Sequence, residues 1–316
     1  MKTAVFAEAP PVPLEMTPVA VLPRPRLLDF VELTKPRISV MVLFTVAIGA
    51  LSADPAIIDL MQMFHALLGT ALVASGASAL NQWLERDTDA LMRRTENRPL
   101  PAARLSTVEV VAFGFSLAVV GLAYMAVQMT HPLAAVLTAV TFVSYVFVYT
   151  PLKRHTSLNT LIGAVPGALP PVIGWTAMTG TINSPALVLF LIVFIWQIPH
   201  FLAIAWMYRD EYAQAGLKML PVVDATGAAT ARQMLLYSLA LGPVSFLPVI
   251  AGEASLMYGF GAIGLGLFFL QAVMGFVMEA TYEKARWVLH ASLIYLPGVF
   301  ALLVMERLIR YYAGGQ

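Results

Sequence analysis

The chain is a succession of long uncharged runs separated by short polar stretches. A membrane-spanning helix needs about 20 mostly apolar residues. Nine runs approach or reach that length: 38–53, 62–84, 106–128, 132–149, 158–178, 184–206, 232–252, 256–279 and 286–306. Apolar residues within them are continuous rather than alternating, which predicts helices and not the strands of a barrel. Pro166, Pro170, Pro171, Pro243, Pro248 and Pro297 fall inside the runs. Bundled membrane helices tolerate them because neighbouring helices re-satisfy the freed backbone groups. Small residues from Gly69 to Gly76, and Gly261, Gly264 and Gly266, predict close helix approach. The second and sixth runs each lead into an acidic and basic loop ending in Leu-Pro, at Leu100-Pro101 and Leu220-Pro221. The expected fold is all-α, a polytopic membrane protein of nine transmembrane helices, with two four-helix halves plus one.

Composition sharpens this picture. Of 316 residues 59% are hydrophobic and 12% charged, against roughly 25% charged in a soluble domain. Mean hydropathy is +0.78. An ordinary soluble globule and a disordered chain are both excluded. A net charge of +1 argues against nucleic acid as a partner, and the absence of cysteine excludes disulfides, thiolate chemistry and Cys-ligated metal. Of the 19 Lys and Arg, 17 lie in the N-terminal stretch or in the connections after the second, fourth, sixth and eighth runs. Only Arg307 and Arg310 fall on the other side. By the positive-inside rule the N-terminus is cytoplasmic and nine spans place the C-terminus opposite. Residues 1–30, rich in proline, read as a flexible cytoplasmic tail ahead of a transmembrane domain over 31–316.

Candidate chemistry concentrates in three segments. Asn81, Glu85 and Asp89 are spaced four apart, so a helix continuing past the membrane boundary aligns them on one face. Three oxygen-bearing groups, two of them anionic, suit a Mg²⁺ ion that keeps waters and phosphate oxygens. Arg93, Arg94 and Arg98 follow closely, and guanidinium groups grip phosphate in bidentate fashion. Asp87 lies off that face and reads as a solvent-exposed charge or a partner to an arginine. In the second segment His200 sits within an apolar run directly after Pro199, where an ionisable group is a functional candidate by default. Contact with a ligand, a buried carboxylate, or a hydrogen bond to another helix are all open to it. Arg209, Asp210 and Glu211 repeat the acid and base theme further on, with Lys218 and Asp224 beyond. The third segment brings Lys153 and Arg154 to the same rim. His65 and His131 read as interfacial, and His290 as a polar residue within the ninth run.

Five separated motifs carry a resemblance. They are Leu33-Thr-Lys-Pro-Arg-Ile38, Asn81-x3-Glu85-Arg-x2-Asp89 with Arg98-Pro-Leu, Tyr149-Thr-Pro-Leu-Lys-Arg154, Gly163-x2-Pro-Gly-Ala-Leu-Pro-Pro171 and Trp196-x2-Pro-His-Phe201. From about residue 30 onward the chain resembles the haem O synthases, the protohaem IX farnesyltransferase family of UbiA-type intramembrane prenyltransferases. The resemblance implies nine helices around a central cavity in a bacterial inner membrane, with haem B and farnesyl diphosphate as substrates and Mg²⁺ as cofactor. It implies that Asn81, Glu85 and Asp89 hold the metal, that Arg94 and Arg98 join them at the reacting diphosphate, and that a haem vinyl group then attacks the farnesyl carbon. Lys35, Arg37, Lys153, Arg154, His200, Arg209, Asp210, Glu211 and Lys218 are the expected substrate-binding set. Beyond the lipid bilayer, the partners implied are the downstream haem-modifying enzyme and the terminal oxidase assembly.

Two departures stand out. The superfamily usually has Asp where Glu85 stands, and its second motif spaces aspartates by three residues, whereas Asp210 and Glu211 are adjacent here. Two alternatives share part of the pattern. A quinone-precursor prenyltransferase has no use for the Trp196–Phe201 run. A haem transporter is expected to place its ionisable groups at the bilayer midplane.

Overall fold

The computed structural model describes residues 25–314. Most of the Pro-rich stretch read as a tail, with Lys2 and Arg24, lies outside the described residues. Among those described the regular structure is entirely helical. Eight helices are long and apolar enough to cross a membrane, or nine if one bent pair counts as a single span.

That pair is α1 (Arg26–Leu33) and α2 (Pro36–Leu51), bent by 42° at Thr34 and Lys35. The first apolar run therefore does not stand alone: α2 has 16 residues, about 24 Å at 1.5 Å per residue. Residues 26–30, within the stretch read as a tail, open α1 instead. Asp29 is buried against Arg104 at 2.8 Å, and the same guanidinium reaches Glu32 at 2.9 Å. Arg26 meets Glu109, and Glu109 itself closes a capping box with Ser106.

Eight further spans follow. Helix α3 (Leu60–Asp89) runs through 30 residues, beyond the 62–84 predicted, and so carries its last turns past the apolar stretch. Helix α4 (Thr107–Gln128) returns along it. Helix α5 (Pro132–Val143) continues through a π-helical turn, Ser144–Tyr149, into the short α6 (Thr150–Leu152). Helices α7 (Asn159–Thr179) and α8 (Ser184–Met207) come next, then the short α9 (Arg209–Gln214) and α10 (Leu220–Val223). Helices α11 (Ala228–Ile250), α12 (Leu256–Met278) and α13 (Tyr282–Gly314) complete the bundle.

Helix α7 is the most buried span and packs against α2, α5 and α8, while α8 also meets α11 and α13. Backbones touch where α2 crosses α7. A Cβ on Gly174 would collide with the Val46 carbonyl, and one on Gly49 with that of Pro171. Small residues act as predicted between α3 and α4, where Gly69 and Gly76 face Gly121 and Gly114. At Gly264 the expectation fails, for nothing lies within 4 Å of its notional Cβ. Packing in lipid rests on such close contact, because lipid tails are as apolar as the side chains.

Candidate functional site

The C-terminal turns of α3 carry Asn81, Glu85 and Asp89, which are 1%, 9% and 1% exposed. Spacing by four puts them on one face of the helix, and each is held by a cation from a different part of the chain. Lys35 Nζ donates to Asn81 Oδ1 at 2.7 Å. Lys153 Nζ donates to Glu85 Oε1 at 2.7 Å, and Arg98 Nη1 to Asp89 Oδ2 at 2.6 Å. The row of carboxylate and carboxamide oxygens is thus lined by three long basic side chains.

Local structure delivers each cation. Lys35 occupies the break between α1 and α2 with φ +47° and ψ 61°. A side chain in that left-handed region costs about 1–2 kcal/mol, and the following Pro36 disfavours it further. Such strain is characteristic of functional positions. The π-helical turn before α6 is a feature that recurs at functional sites. It brings Thr150 to Asn81, whose Nδ2 donates to Thr150 Oγ1 at 3.1 Å, and sets Lys153 opposite Glu85. The Lys153 ammonium also lies 4.7 Å from the centre of the Tyr149 ring. That ring fits only because residue 163 is glycine, where a Cβ would strike it. Burial acts to lower the pKa of Lys153, but the Glu85 carboxylate and its hydrogen bond, together with the Tyr149 and Tyr145 hydroxyls, hold the ammonium well above its usual range. In the connection after α3, Thr95 Oγ1 donates to the Asp89 carbonyl oxygen at 2.8 Å and braces the turn leading to Arg98.

The remaining expected residues sit elsewhere. Arg94 is exposed and lies over the rings of Tyr208 and Tyr212, at 5.0 and 5.9 Å, rather than beside the carboxylates. Glu211 accepts from the Arg94 backbone N–H at 3.2 Å. These contacts tie the α3–α4 connection to α9. Arg209 stacks on Trp206 at 4.4 Å and reaches Asp210 at 3.7 Å, with the Asp210 side chain 90% exposed. Arg37 is exposed. Arg154 donates to the Leu84 carbonyl at 3.2 Å. Lys218 contributes its backbone, donating to the Lys153 carbonyl at 2.8 Å and accepting from Asn159 at 3.0 Å. Asp224 accepts from the backbone and hydroxyl of Thr230, at 2.7 and 2.9 Å, at the start of α11. His200 bonds Ser292 on α13 at 2.8 Å.

Sequence reading placed Tyr149 and Thr150 in a motif without giving either a role, and it passed over Tyr208 and Tyr212. The proline after Thr150 hints at a local irregularity, but nothing in the pattern announces a π-turn or its reach to Asn81.

Among the described residues no three His, Cys, Asp or Glu side chains converge on one point. The site still fits a hard divalent cation. Its donors are all oxygen, two of them carboxylates on one helix face, and Mg²⁺ is commonly held by one or two carboxylates plus waters and substrate phosphates. The arrangement can bind a metal and a diphosphate together: carboxylates for the first, Lys35, Lys153 and Arg98 for the second.

The chain is similar over most of its length to known proteins. Residues 42–303 match the UbiA prenyltransferase family. A protoheme IX farnesyltransferase of Solibacter usitatus is 44% identical over 88% of this chain and 98% of its own. One of Salinibacter ruber is 45% identical over 88% and 98%. Among solved structures, a digeranylgeranylglyceryl phosphate synthase superposes with a TM-score of 0.74 at 17% identity, over 89% of this chain and 98% of that one. A UbiA homolog from Archaeoglobus fulgidus bound to GPP and Mg²⁺ gives 0.67 at 15%, over 87% and 99%.

Proposed function

The chain belongs to the UbiA prenyltransferase family, and from that membership we propose that it transfers a farnesyl group from farnesyl diphosphate to the vinyl group of protohaem IX, giving haem O and diphosphate. Its likeness over almost their whole length to protoheme IX farnesyltransferases supports the choice of substrates. The observation that carries the reaction type is the buried row Asn81, Glu85 and Asp89, each residue hydrogen-bonded by a basic side chain.

The chemistry follows from those groups. Lys35, Lys153 and Arg98 exchange their protein partners for diphosphate oxygens when substrate arrives. They then stabilise the charge that grows as the farnesyl C1–O bond breaks and its electron pair leaves with diphosphate. A Mg²⁺ ion held by Asn81, Glu85 and Asp89 would supply further stabilisation of that leaving group as a Lewis acid. Apolar helices around the site keep water from the allylic cation. The vinyl π-electrons form the new bond to C1, and the cation left beside the porphyrin takes up water and releases a proton. Haem is a substrate throughout. The distribution of Lys and Arg supports an orientation with this site on the cytoplasmic side of a bacterial inner membrane.

Purified full-length protein with haem B, farnesyl diphosphate and Mg²⁺ is expected to yield a heavier, farnesylated haem by mass spectrometry, with none after chelation. Unchanged haem alongside prenylation of an aromatic quinone precursor would overturn the reading.

A further inference from the structure

The hydrogen bonds around His200 set its tautomer, and from them we infer that His200 Nε2 is an axial ligand to the iron of the haem substrate, with Ser292 as its positioning residue. The inference rests on the function proposed above and deepens it by naming the protein atom that holds the porphyrin.

A serine hydroxyl has one hydrogen. That of Ser292, buried on α13, goes to the Leu289 carbonyl oxygen at 2.6 Å. Ser292 Oγ also lies 2.8 Å from His200 Nδ1. With its hydrogen committed, Oγ can only accept, so the network assigns the proton to Nδ1. A neutral imidazole in that tautomer presents an unprotonated Nε2. Metal-bound histidines are set in this way, the other ring nitrogen donating to a fixed acceptor.

The ring is fixed as well as its proton. It stacks on the Trp196 ring with centroids 4.8 Å apart and meets the Phe201 ring edge to face at 5.4 Å. Trp196 is anchored in turn by Nε1 donating to the Ser292 carbonyl at 2.8 Å. A single residue thus orients both rings through its two oxygens. Among the described residues no carboxylate pairs with His200, and Ser292 is its one hydrogen-bond partner. Its Nε2 lone pair is left aimed and unused inside a membrane helix, where a polar group without a partner is costly. The His200 residue is half-buried. His65 is a useful contrast: its Nδ1 faces the Tyr124 hydroxyl at 2.6 Å, a group that can donate or accept, so no tautomer is imposed.

Ligation of the iron would hold the porphyrin without itself taking part in bond making. It can be read without turnover, by adding ferric haem B to the purified full chain in detergent and omitting farnesyl diphosphate. Visible absorption and electron paramagnetic resonance are expected to show a nitrogen-ligated haem. His200→Ala is expected to remove that signature and weaken haem binding at least about 10-fold, and added imidazole to restore the spectrum. Ser292→Ala should keep the ligand but weaken binding about 10-fold, since the tautomer is no longer imposed. An unchanged spectrum in His200→Ala overturns the inference, as does failure of imidazole to restore the spectrum in a variant that still binds haem. Product formation by the unmutated protein tests the proposed function separately. A farnesylated haem from a protein whose His200→Ala variant keeps its spectrum removes the ligand assignment alone.

Discussion

Two segments of this protein, at the ends of α3 and α8, carry the same mixture of acids and bases and were expected to serve the same site. Their structures differ. At the end of α3 the helix runs on without a break, so Glu85 and Asp89 stay on the face that turns inward, and Asp89 is 1% exposed. At the end of α8 the helix stops at Tyr208 and α9 begins at Arg209, which puts Asp210 and Glu211 into the first turn of a new helix. Acidic side chains are favoured there by the helix dipole alone, and the Asp210 side chain is 90% exposed. Similar composition therefore does different work. Continuity of the helix, more than the charges themselves, decides which acids enter the site.

The largest effect is expected at Asp89. Asp89→Asn preserves shape but removes a buried charge and leaves Arg98 without its partner at 2.6 Å. Loss of one group that organises a developing charge costs about 100- to 1,000-fold in rate, to be read as farnesylated haem per unit time. A loss of less than tenfold would break the comparison at its stronger end. Glu85→Asp restores the residue usual in the superfamily yet shortens the reach to Lys153, now bridged at 2.7 Å. Misplacement by about 1 Å costs on the order of 100-fold, so a fall of about 10- to 100-fold is expected. Full activity would mean that the Lys153 contact is not part of the working site.

Much of this was legible in the chain because it depends on local geometry. The apolar runs and the four-residue spacing of Asn81, Glu85 and Asp89 follow from helix periodicity and from what a bilayer demands. Lys35, Lys153 and Arg98 were expected at the site, but which of those residues each one meets was not legible. Lys153 lies 68 residues from Glu85, and the π-turn that aligns it breaks the very periodicity on which sequence reading relies. Lys35 adopts a left-handed conformation before proline, against the local preference of both residues. Helix α1 was hidden because residues 26–30 read as part of a Pro-rich tail, while the Arg104 that meets Asp29 and Glu32 lies 75 and 72 residues away. Ser292 has no sequence signature at all, since its importance comes entirely from where α13 meets α8.

A smaller effect is expected at the contact joining the two segments. Arg94→Ala removes its stacking on Tyr208 and Tyr212 and the weak bond from Nη2 to the Tyr212 hydroxyl at 3.4 Å, while the backbone bond to Glu211 remains. An exposed cation over an aromatic ring is worth about 0.5–1 kcal/mol. The variant should lose about 1 kcal/mol of stability and no more than severalfold in activity, mainly as a raised KM. A fall in kcat approaching that of Asp89→Asn would return Arg94 to the reacting diphosphate.

The smallest effect is expected at Asp210, and it tests the comparison most directly. Its carboxylate makes one ion pair, to the neighbouring Arg209 at 3.7 Å, with both side chains open to solvent. Exposed pairs of this kind contribute about 0–1 kcal/mol, and surface substitutions away from special features usually stay within about 0.5 kcal/mol. Asp210→Asn is therefore expected to leave thermal stability and haem farnesylation within about twofold of the unmutated protein, an effect at that energetic scale. The dependence of rate on Mg²⁺ concentration should also be unchanged, because the carboxylates suited to the ion lie on α3. A shift in that dependence would show that α9 turns inward when substrate binds and that Asp210 supplies a second metal position. The contrast between a buried working face and an exposed helix start would then hold only for the protein without its substrates.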